Sequence, residues 1–327
     1  MSHPPDAPRV TVVVVTWQGR HLLGPCLESL RHQTLGHRLL VVDNASTDGT
    51  TDFLAAQHPE ANVLVSRRNE GFAGGVARAL GAVDTPYAAL LNNDATAEPD
   101  WLAALVAHAD ACPEAGAVTS QMLLTDAPGT LNNTGVLLLP SGYGADRDLG
   151  EPAGSRPEPG EVFGFSGGAA LLRTEAVDQA GGMPAPFFLY YEDTDLSWRL
   201  RLAGWTVRYE PRAVVHHAHS ATADQQSESF AFYNERNRLL TLARCAPAGM
   251  AVRGATRFLV TTASLTLRRL IRRPAPDVAT FRLAVRLRAF RSFLRLLPWA
   301  VRGRRAVVRR ASPGVRAVAD RWVGRAA

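Results

Sequence analysis

Apolar residues in the first third of the chain fall into short unbroken runs, separated by segments where they recur every three or four positions. Residues 10–16 (Val-Thr-Val-Val-Val-Val-Thr) form one such run, and residues 39–43, 62–66 and 87–92 repeat the pattern. An unbroken apolar run of this length predicts a strand buried on both faces, as in parallel sheets. Residues 21–32, 50–57, 74–81 and 100–111 carry helical spacing between them. The alternation predicts right-handed crossovers and an α/β fold with a doubly wound, mostly parallel sheet. Ligands of such sheets bind beyond the carboxyl ends of the strands. Thr16, Asp43 and Asp94 stand at or just past predicted strand ends, so they are expected to converge on one crevice.

From residue 131 to residue 164 the periodicity weakens, and glycines and prolines such as Gly142, Gly150, Pro157 and Pro159 mark a long irregular connection of the kind that forms lids. Residues 167–173 read as a strand, followed by a short helix to Ala180, and residues 204–217 as two short strands. After about Gln226 the chain turns helical.

Glu192, Asp193 and Asp195 crowd into four positions between an aromatic run and a helical repeat of Leu196, Leu200 and Ala203, which Gly204 is placed to end. Asp193 and Asp195 thus fall at a helix N-terminus, where the helix dipole favours an ionised carboxylate by roughly 0.3 to 1 kcal/mol. That suits a general base, with helix capping as the structural alternative.

The 327 residues suffice for one large domain with an appendage, and 46% apolar content is that of a globular core. Charge divides the chain sharply. Residues 1–240 hold 16 Arg against 28 acidic residues, a net of −12, whereas residues 241–327 hold 20 Arg against 2, a net of +18. Cys26, Cys112 and Cys245 make neither a disulfide framework nor a metal knuckle and fit a reducing compartment. The run at 10–15 is too short for a secretory leader, and none reaches the roughly 18 to 20 apolar residues that span a bilayer. A soluble, cytoplasmic protein is expected.

Leu90-Leu-Asn-Asn-Asp94 closes a hydrophobic strand with an Asn-x-Asp pair. Asn92 and Asp94 placed there can hold a Mg²⁺ or Mn²⁺ ion that bridges phosphates, or they simply terminate the strand. Asp43-Asn-Ala-Ser-Thr-Asp48 reads as a turn whose Asp43 carboxylate can accept the N3–H of a uracil or thymine ring. Asn69-Glu-Gly-Phe-Ala-Gly-Gly75 opens a helix and lets backbone N–H groups approach phosphate or sugar, or makes a tight turn. His108, His216, His217 and His219 become metal ligands only if geometry brings them to such a site.

Taken in order, Val-Thr-Trp, Val-Asp-Asn-Ala-Ser, Asn-Glu-Gly-Phe-Ala-Gly-Gly, Leu-Asn-Asn-Asp, Gly-Gly-Ala-Ala-Leu-Leu-Arg and Phe-Phe-Leu-Tyr-Tyr-Glu-Asp-Thr-Asp-Leu-Ser-Trp-Arg resemble the family 2 glycosyltransferases, in particular their rhamnosyltransferase-like branch. The resemblance runs from about Arg9 to about Arg238. It implies a GT-A fold and metal-assisted, inverting transfer of a sugar, L-rhamnose being one candidate. The donor would be a nucleoside-diphosphate sugar of dTDP or UDP type, and the acceptor a glycan or polyprenyl-linked hydroxyl in cell-envelope polysaccharide synthesis. Carried onto these positions, it makes Thr16 and Asp43 contacts of the base, and Asn69, Gly71, Asn93 and Asp94 contacts of the nucleotide sugar. Asn92 and Asp94 become the ends of the family's D-x-D element, with Asn in place of the first Asp. Asp193 becomes the general base and Glu192, Asp195 and Arg199 its support, Arg199 serving either the phosphates or an ion pair with Asp195. The Pro-x-Ala-x-x-x-His pattern from Pro211 favours His217 over His216 as metal ligand. The cofactor so implied is divalent, Mg²⁺ or Mn²⁺.

A GT-A catalytic domain over residues 9–240 and an Arg-rich amphipathic helical extension over 241–327 are expected. Residues 257–273 and 281–297 interleave Leu and Phe with Arg at helical spacing, as in helices that lie on an anionic membrane, where each Arg adds about 1 kcal/mol of attraction. That predicts a peripheral protein at the inner face of the cell membrane, with packing on the catalytic domain as the alternative. Nucleic acid is not an expected partner, because aromatic interleaving is sparse and no recognition motif is present. A sugar nucleotidyltransferase would carry an Arg- and Lys-bearing loop after the first strand, whereas this chain has Thr-Trp-Gln-Gly-Arg20 and no lysine. A non-catalytic membrane-surface scaffold would not need Asp94, Asp193 and His217 together.

Overall fold

The computed structural model describes residues 8–218, 226–274 and 276–325. Its first half runs β1 (Val10–Thr16), α1 (Arg20–Arg31), β2 (Arg38–Asp43), α2 (Thr50–Gln57), β3 (Asn62–Val65), α3 (Gly71–Leu80), β4 (Tyr87–Leu91), β5 (Ala95–Ala97), α4 (Trp101–Ala111) and β6 (Ala115–Leu124). Short strands β7 (Leu131–Asn133), β8 (Val136–Leu138), β9 (Gly144–Asp146) and β10 (Gly160–Glu161) follow, then β11 (Ala169–Arg173), α5 (Thr174–Ala180), α6 (Glu192–Leu202) and β12 (Thr206–His217). The rest is helical: α7 (Glu228–Cys245), α8 (Ala248–Leu270), α9 (Leu283–Arg310) and α10 (Val315–Trp322).

The main sheet is ordered β10-β12-β6-β11-β4-β1-β2-β3. Neighbours β3, β2, β1 and β4 are parallel, as are β6 and β12, while β11 runs antiparallel between β4 and β6. All of β1 is buried, and its side chains alternate between two cores. Val10, Val12 and Val14 share one with Leu27, Leu54 and Trp101 of α1, α2 and α4; Val13 and Val15 share the other with Val76, Val177 and Leu200 of α3, α5 and α6. A strand covered on both faces has no polar side to show, hence the unbroken apolar run.

Two expectations need correction. Residues 206–217 form one strand, β12, and not two; its pairing with β6 shifts register between Glu210 and Val214. Pro211 sits at that shift and has no N–H to give a ladder, which a bulge accommodates. The 131–164 connection is not irregular throughout: β8 and β9 pair as a hairpin. Tyr143 pins it by donating its hydroxyl to Glu235 Oε1 at 2.5 Å, beneath the Arg238 guanidinium 4.3 Å from its ring.

The basic helices build further cores against the α/β part. Trp322 of α10 packs with Phe163, Trp198 and Leu202, and Phe258 and Phe293 of α8 and α9 pack with Phe187, Tyr191 and Leu239. Residue 240 lies inside α7. The outer faces of α8 and α9 leave Val260, Leu267, Leu270, Leu287 and Leu294 exposed among arginines. Among the described residues no helix is long and apolar enough to cross a membrane.

Candidate active site

Three parallel strands deliver their ends to one place. Thr16 stands in register with Asp43, and Asn93 Nδ2 donates to Thr16 Oγ1 at 3.0 Å. Asp43 is fully buried; Oδ1 accepts the Ser46 amide at 2.9 Å and Oδ2 the Thr51 hydroxyl at 2.7 Å. It therefore fixes the 43–51 turn, and a nucleobase N–H would have to use its remaining lone pairs. The Gln18 amide ties that turn to the β1–α1 loop through Ser46 Oγ at 2.9 Å. Beside it Trp17, directly beyond β1, is 54% exposed. The sequence expectations assign Trp17 no role, although a large aromatic just after a buried strand end is a signal for a stacking face.

Asn69 Oδ1 accepts the Gly71 amide at 2.8 Å and closes the turn into α3. Gly71 has φ +69°, and a Cβ there would lie 2.1 Å from the Phe188 carbonyl oxygen. Only glycine lets α3 start so close to the aromatic segment that precedes Asp193.

Asp94 Oδ1 lies 3.2 Å from His217 Nε2. Behind the ring, Nδ1 faces Asn132 Oδ1 at 2.8 Å. A carbonyl oxygen only accepts, so Nδ1 carries the hydrogen, and in the neutral ring Nε2 then holds a lone pair facing Asp94 and Asn92, whose Nδ2 is 3.4 Å away. A lone pair and a carboxylate oxygen aimed at each other fit a shared cation, and carboxylate plus imidazole suits Mn²⁺ or Mg²⁺. No three His, Cys, Asp or Glu side chains gather among the described residues, so substrate oxygens would complete the shell. His216 faces the other side of β12, 2.7 Å from Glu98 Oε1, because successive strand residues point oppositely. His108 is taken up by Glu210 at 2.9 Å, and His219 lies outside the described residues.

Just before Asp193, three non-glycine residues take left-handed backbone: Phe188, Tyr190 and Tyr191, with φ of 66°, 65° and 71°. Each costs of the order of 1–3 kcal/mol and persists only where its surroundings impose it. Asn237 of α7 imposes it here, its Nδ2 lying 3.0, 2.8 and 2.7 Å from the carbonyl oxygens of Phe187, Leu189 and Tyr190. Arg236 adds bonds to Pro186 and Phe187. Asp193 is thereby held half-buried, with Oδ2 accepting the Gly167 amide at 3.1 Å and Oδ1 the Thr194 amide at 2.5 Å. The neighbouring Gly168 carbonyl accepts the Asn92 amide at 2.9 Å, so a glycine pair joins Asp193 to the Asn92–Asp94 segment. Burial raises the Asp193 carboxyl above its ordinary 3.8, against the pull of the Gly167 and Thr194 bonds. Desolvation thus outweighs the dipole's preference for the anion at this position.

Asp195 faces the core, fully buried, and accepts from Arg199 Nε at 2.7 Å and Arg244 Nη1 at 2.5 Å. Arg199 Nη1 goes to the Ala180 carbonyl at 2.6 Å, which commits this arginine to the ion pair and not to phosphates. Glu192 is buried, and its Oε2 has no hydrogen-bond partner among the described residues. Burial, then the neighbouring Asp193, lift its carboxyl well above 4.5. A carboxyl raised on folding stabilises fully below its unfolded value and loses that contribution as pH rises through its folded value. Glu192→Gln, which mimics the protonated form, should therefore gain stability over the parent as pH climbs above the ordinary carboxyl value of about 4.3. Urea unfolding at several pH values checks this, and a pH-independent difference would contradict it.

The sequence profile of glycosyl transferase family 2 matches residues 11–181, just over half of the chain. The chain belongs to this family. Along with the family comes the GT-A fold that the motifs imply. Among its relatives, the N-acetylglucosaminyl-diphospho-decaprenol L-rhamnosyltransferase of Mycobacterium tuberculosis is 32% identical over 215 residues, covering 58% of this chain and 69% of that one. The pre-mycofactocin glycosyltransferase of the same species is 30% identical over 235 residues, covering 70% and 47%. The mannosyltransferase PcManGT from Pyrobaculum calidifontis, solved with GDP-Man and Mn²⁺, has the same fold with a TM-score of 0.52 at 18% identity, covering 93% of this chain and 75% of that one. The family 2 match stops before Asp193 and His217.

Proposed function

We propose that this family 2 glycosyltransferase moves a sugar, with L-rhamnose one candidate, from a dTDP or UDP sugar to a glycan or polyprenyl-linked hydroxyl in cell-envelope polysaccharide synthesis. Transfer inverts the anomeric carbon and depends on a divalent metal. The observation that carries this reading is the meeting of Asp94, Asn92 and His217 at the strand ends, joined to Asp193 through Gly167 and Gly168. The 32% identical rhamnosyltransferase supports the sugar and the lipid-linked acceptor, and the Mn²⁺ complex of PcManGT supports the metal.

Asp193 takes the acceptor proton while the acceptor oxygen bonds to the anomeric carbon and the bond to the diphosphate breaks on the opposite face. Asp94 and His217, with Asn92 beside them, would hold Mg²⁺ or Mn²⁺, which when bound offsets charge on the leaving diphosphate. Thr16, Asp43, Asn69, Gly71 and Asn93 frame the nucleotide end, with Trp17 offering a flat face to the base. Glu192, Asp195 and Arg199 hold the Asp193 loop and helix from beneath. In this reading residues 9–240 form the catalytic unit and residues 241–327 an extension whose inner face packs on it. The outer face, rich in arginine and exposed leucine, rests on the anionic inner surface of the membrane. Salt should release it from anionic vesicles, since screening sets in within about 8 Å at physiological ionic strength.

Release of nucleoside diphosphate from dTDP-rhamnose and a panel of UDP sugars, with and without Mn²⁺ and a lipid-linked acceptor, tests the function. No release from any donor would favour the non-catalytic scaffold. For the metal, His217→Ala should weaken Mn²⁺ binding about tenfold or more, and Asn132→Ala less, as the loss of an orienting partner does. His216→Ala should leave it unchanged. Calorimetric titration of Mn²⁺ with nucleoside diphosphate present separates these, and a larger effect at His216 would reverse the assignment.

A further inference from the structure

Resting on the proposed reading of a lipid-linked acceptor, we infer that a cavity between α7, α8 and residues 277–286 receives the acceptor's diphosphate, with its lipid chain leaving along the outer face of α8. The cavity encloses about 920 Å³ beside the β8–β9 hairpin, and four arginines, 238, 257, 282 and 286, face two carboxylates, Glu235 and Asp277. Arg282 is matched by Asp277 at 3.3 Å and Glu228 at 3.1 Å. Glu235 is shared: Arg238 lies 2.9 Å and Arg286 3.7 Å from its oxygens, and Tyr143 donates to it as well. One carboxylate between two buried guanidiniums leaves one positive charge without a carboxylate of its own, an arrangement that an anion entering the cavity relieves. Arg238 is 3% exposed, and its Nε has no hydrogen-bond partner among the described residues. Arg286 is fixed by Thr262 Oγ1 and the Thr280 and Phe258 carbonyls, so it acts as a stationary charge. Arg257 stands exposed at the rim. Guanidiniums converging on one space suit phosphate oxygens.

Both ends of such an acceptor have somewhere to go. Tyr143 forms part of the wall, and the next residue, Gly144, donates its amide to Tyr191 Oη at 3.0 Å and lies against Thr194, whose hydroxyl reaches Asp193 Oδ1 at 3.1 Å. The cavity wall is thus joined through Gly144 and Thr194 to the proposed base, the direction in which the assignment places the sugar carried by the diphosphate. On the other side, Phe258 and Thr261 of α8 line the cavity, while Val260, Leu267 and Leu270 of the same helix and Ile271 just past its end stay exposed, a track for an isoprenoid chain.

Flotation of the full-length protein with phosphatidylcholine vesicles carrying a polyprenyl diphosphate, a polyprenol or phosphatidylglycerol tests the assignment. Arg257→Glu removes the rim charge, and Thr261→Trp fills the cavity without touching charge; unchanged unfolding midpoints check that both fold. Each should weaken binding to the polyprenyl diphosphate vesicles about tenfold or more, with little change on phosphatidylglycerol for Thr261→Trp. Equal binding of parent and both variants to polyprenyl diphosphate would overturn the cavity, as would a Thr261→Trp loss of the same size on phosphatidylglycerol, which would trace the effect to general headgroup attraction. Failure of the parent to transfer sugar to any diphosphate-linked acceptor, with donor cleavage intact, would instead sink the acceptor reading on which the assignment rests.

Discussion

Asp193→Asn should lower glycosyl transfer by roughly 10²- to 10⁴-fold, the cost of losing a positioned general base. The amide keeps the carboxylate's shape and, with its oxygen at the Oδ1 position, still accepts from the Thr194 amide and hydroxyl; it gives up the Gly167 bond, while Asn237 continues to clamp the strained 187–191 loop. What it loses, under the proposed mechanism, is the lone pair that takes the acceptor proton. Nucleotide-sugar binding, measured by titration calorimetry, should be nearly unchanged, which separates loss of chemistry from loss of the site. The pH profile adds a second readout. A base works only when ionised, and burial lifts this carboxyl above the ordinary 3.8. Parent activity should therefore fall as pH drops through that raised value, while the residual rate of the variant should lack this limb. Near-normal turnover in the variant would remove Asp193 from the mechanism.

The largest stability effect is expected at Asp195→Ala. Its carboxylate is the shared partner of two buried arginines, Arg199 from its own helix and Arg244 from α7. Arg244 also lies 4.3 Å from the Trp299 ring of α9, so one buried charge group joins α6, α7 and α9. Removing the carboxylate leaves both guanidiniums desolvated and unmatched, which costs about 3–5 kcal/mol. Replacing the trio together with apolar residues of similar size should recover much of that loss, because the desolvation of all three charges is relieved at once. Equilibrium urea unfolding of the single and triple variants measures both. A single-variant loss below about 1 kcal/mol would mean that water reaches the cluster and screens it.

Much of the α/β half was legible because burial on both faces leaves a signature that neighbouring residues carry among themselves. The runs at β1, β2 and β4 gave the strands, and the carboxyl-end rule then placed Thr16, Asp43 and Asp94 together. Strand β6 escaped notice because Ala-Gly-Ala-Val-Thr-Ser-Gln-Met has neither an apolar run nor a clean alternation. Partners that orient the site were illegible for a different reason. Asn132 lies far from His217 in sequence, and Asn237 far from the loop it clamps, so only the fold brings them to their hydrogen bonds. The charge asymmetry is plain in the sequence, but its partners are not. Arg244–Asp195, Arg286–Glu235, Arg282–Glu228 and Arg321–Glu161 all cross residue 240, so part of the basic tail neutralises the acidic half within the molecule. An Arg-Leu-Phe repeat reads alike whether its apolar side meets a core or a membrane, and here the inner face meets a core.

Single displacement by an acceptor hydroxyl, with Asp193 as its base, fixes the stereochemistry of the product. The most direct test is the anomeric configuration of the new glycosidic bond, read from its one-bond carbon–proton coupling by NMR and compared with that of the donor sugar. Inversion in all of the product is the predicted result. A product that retains the donor configuration would require a different arrangement of reacting groups and would contradict the account at its centre.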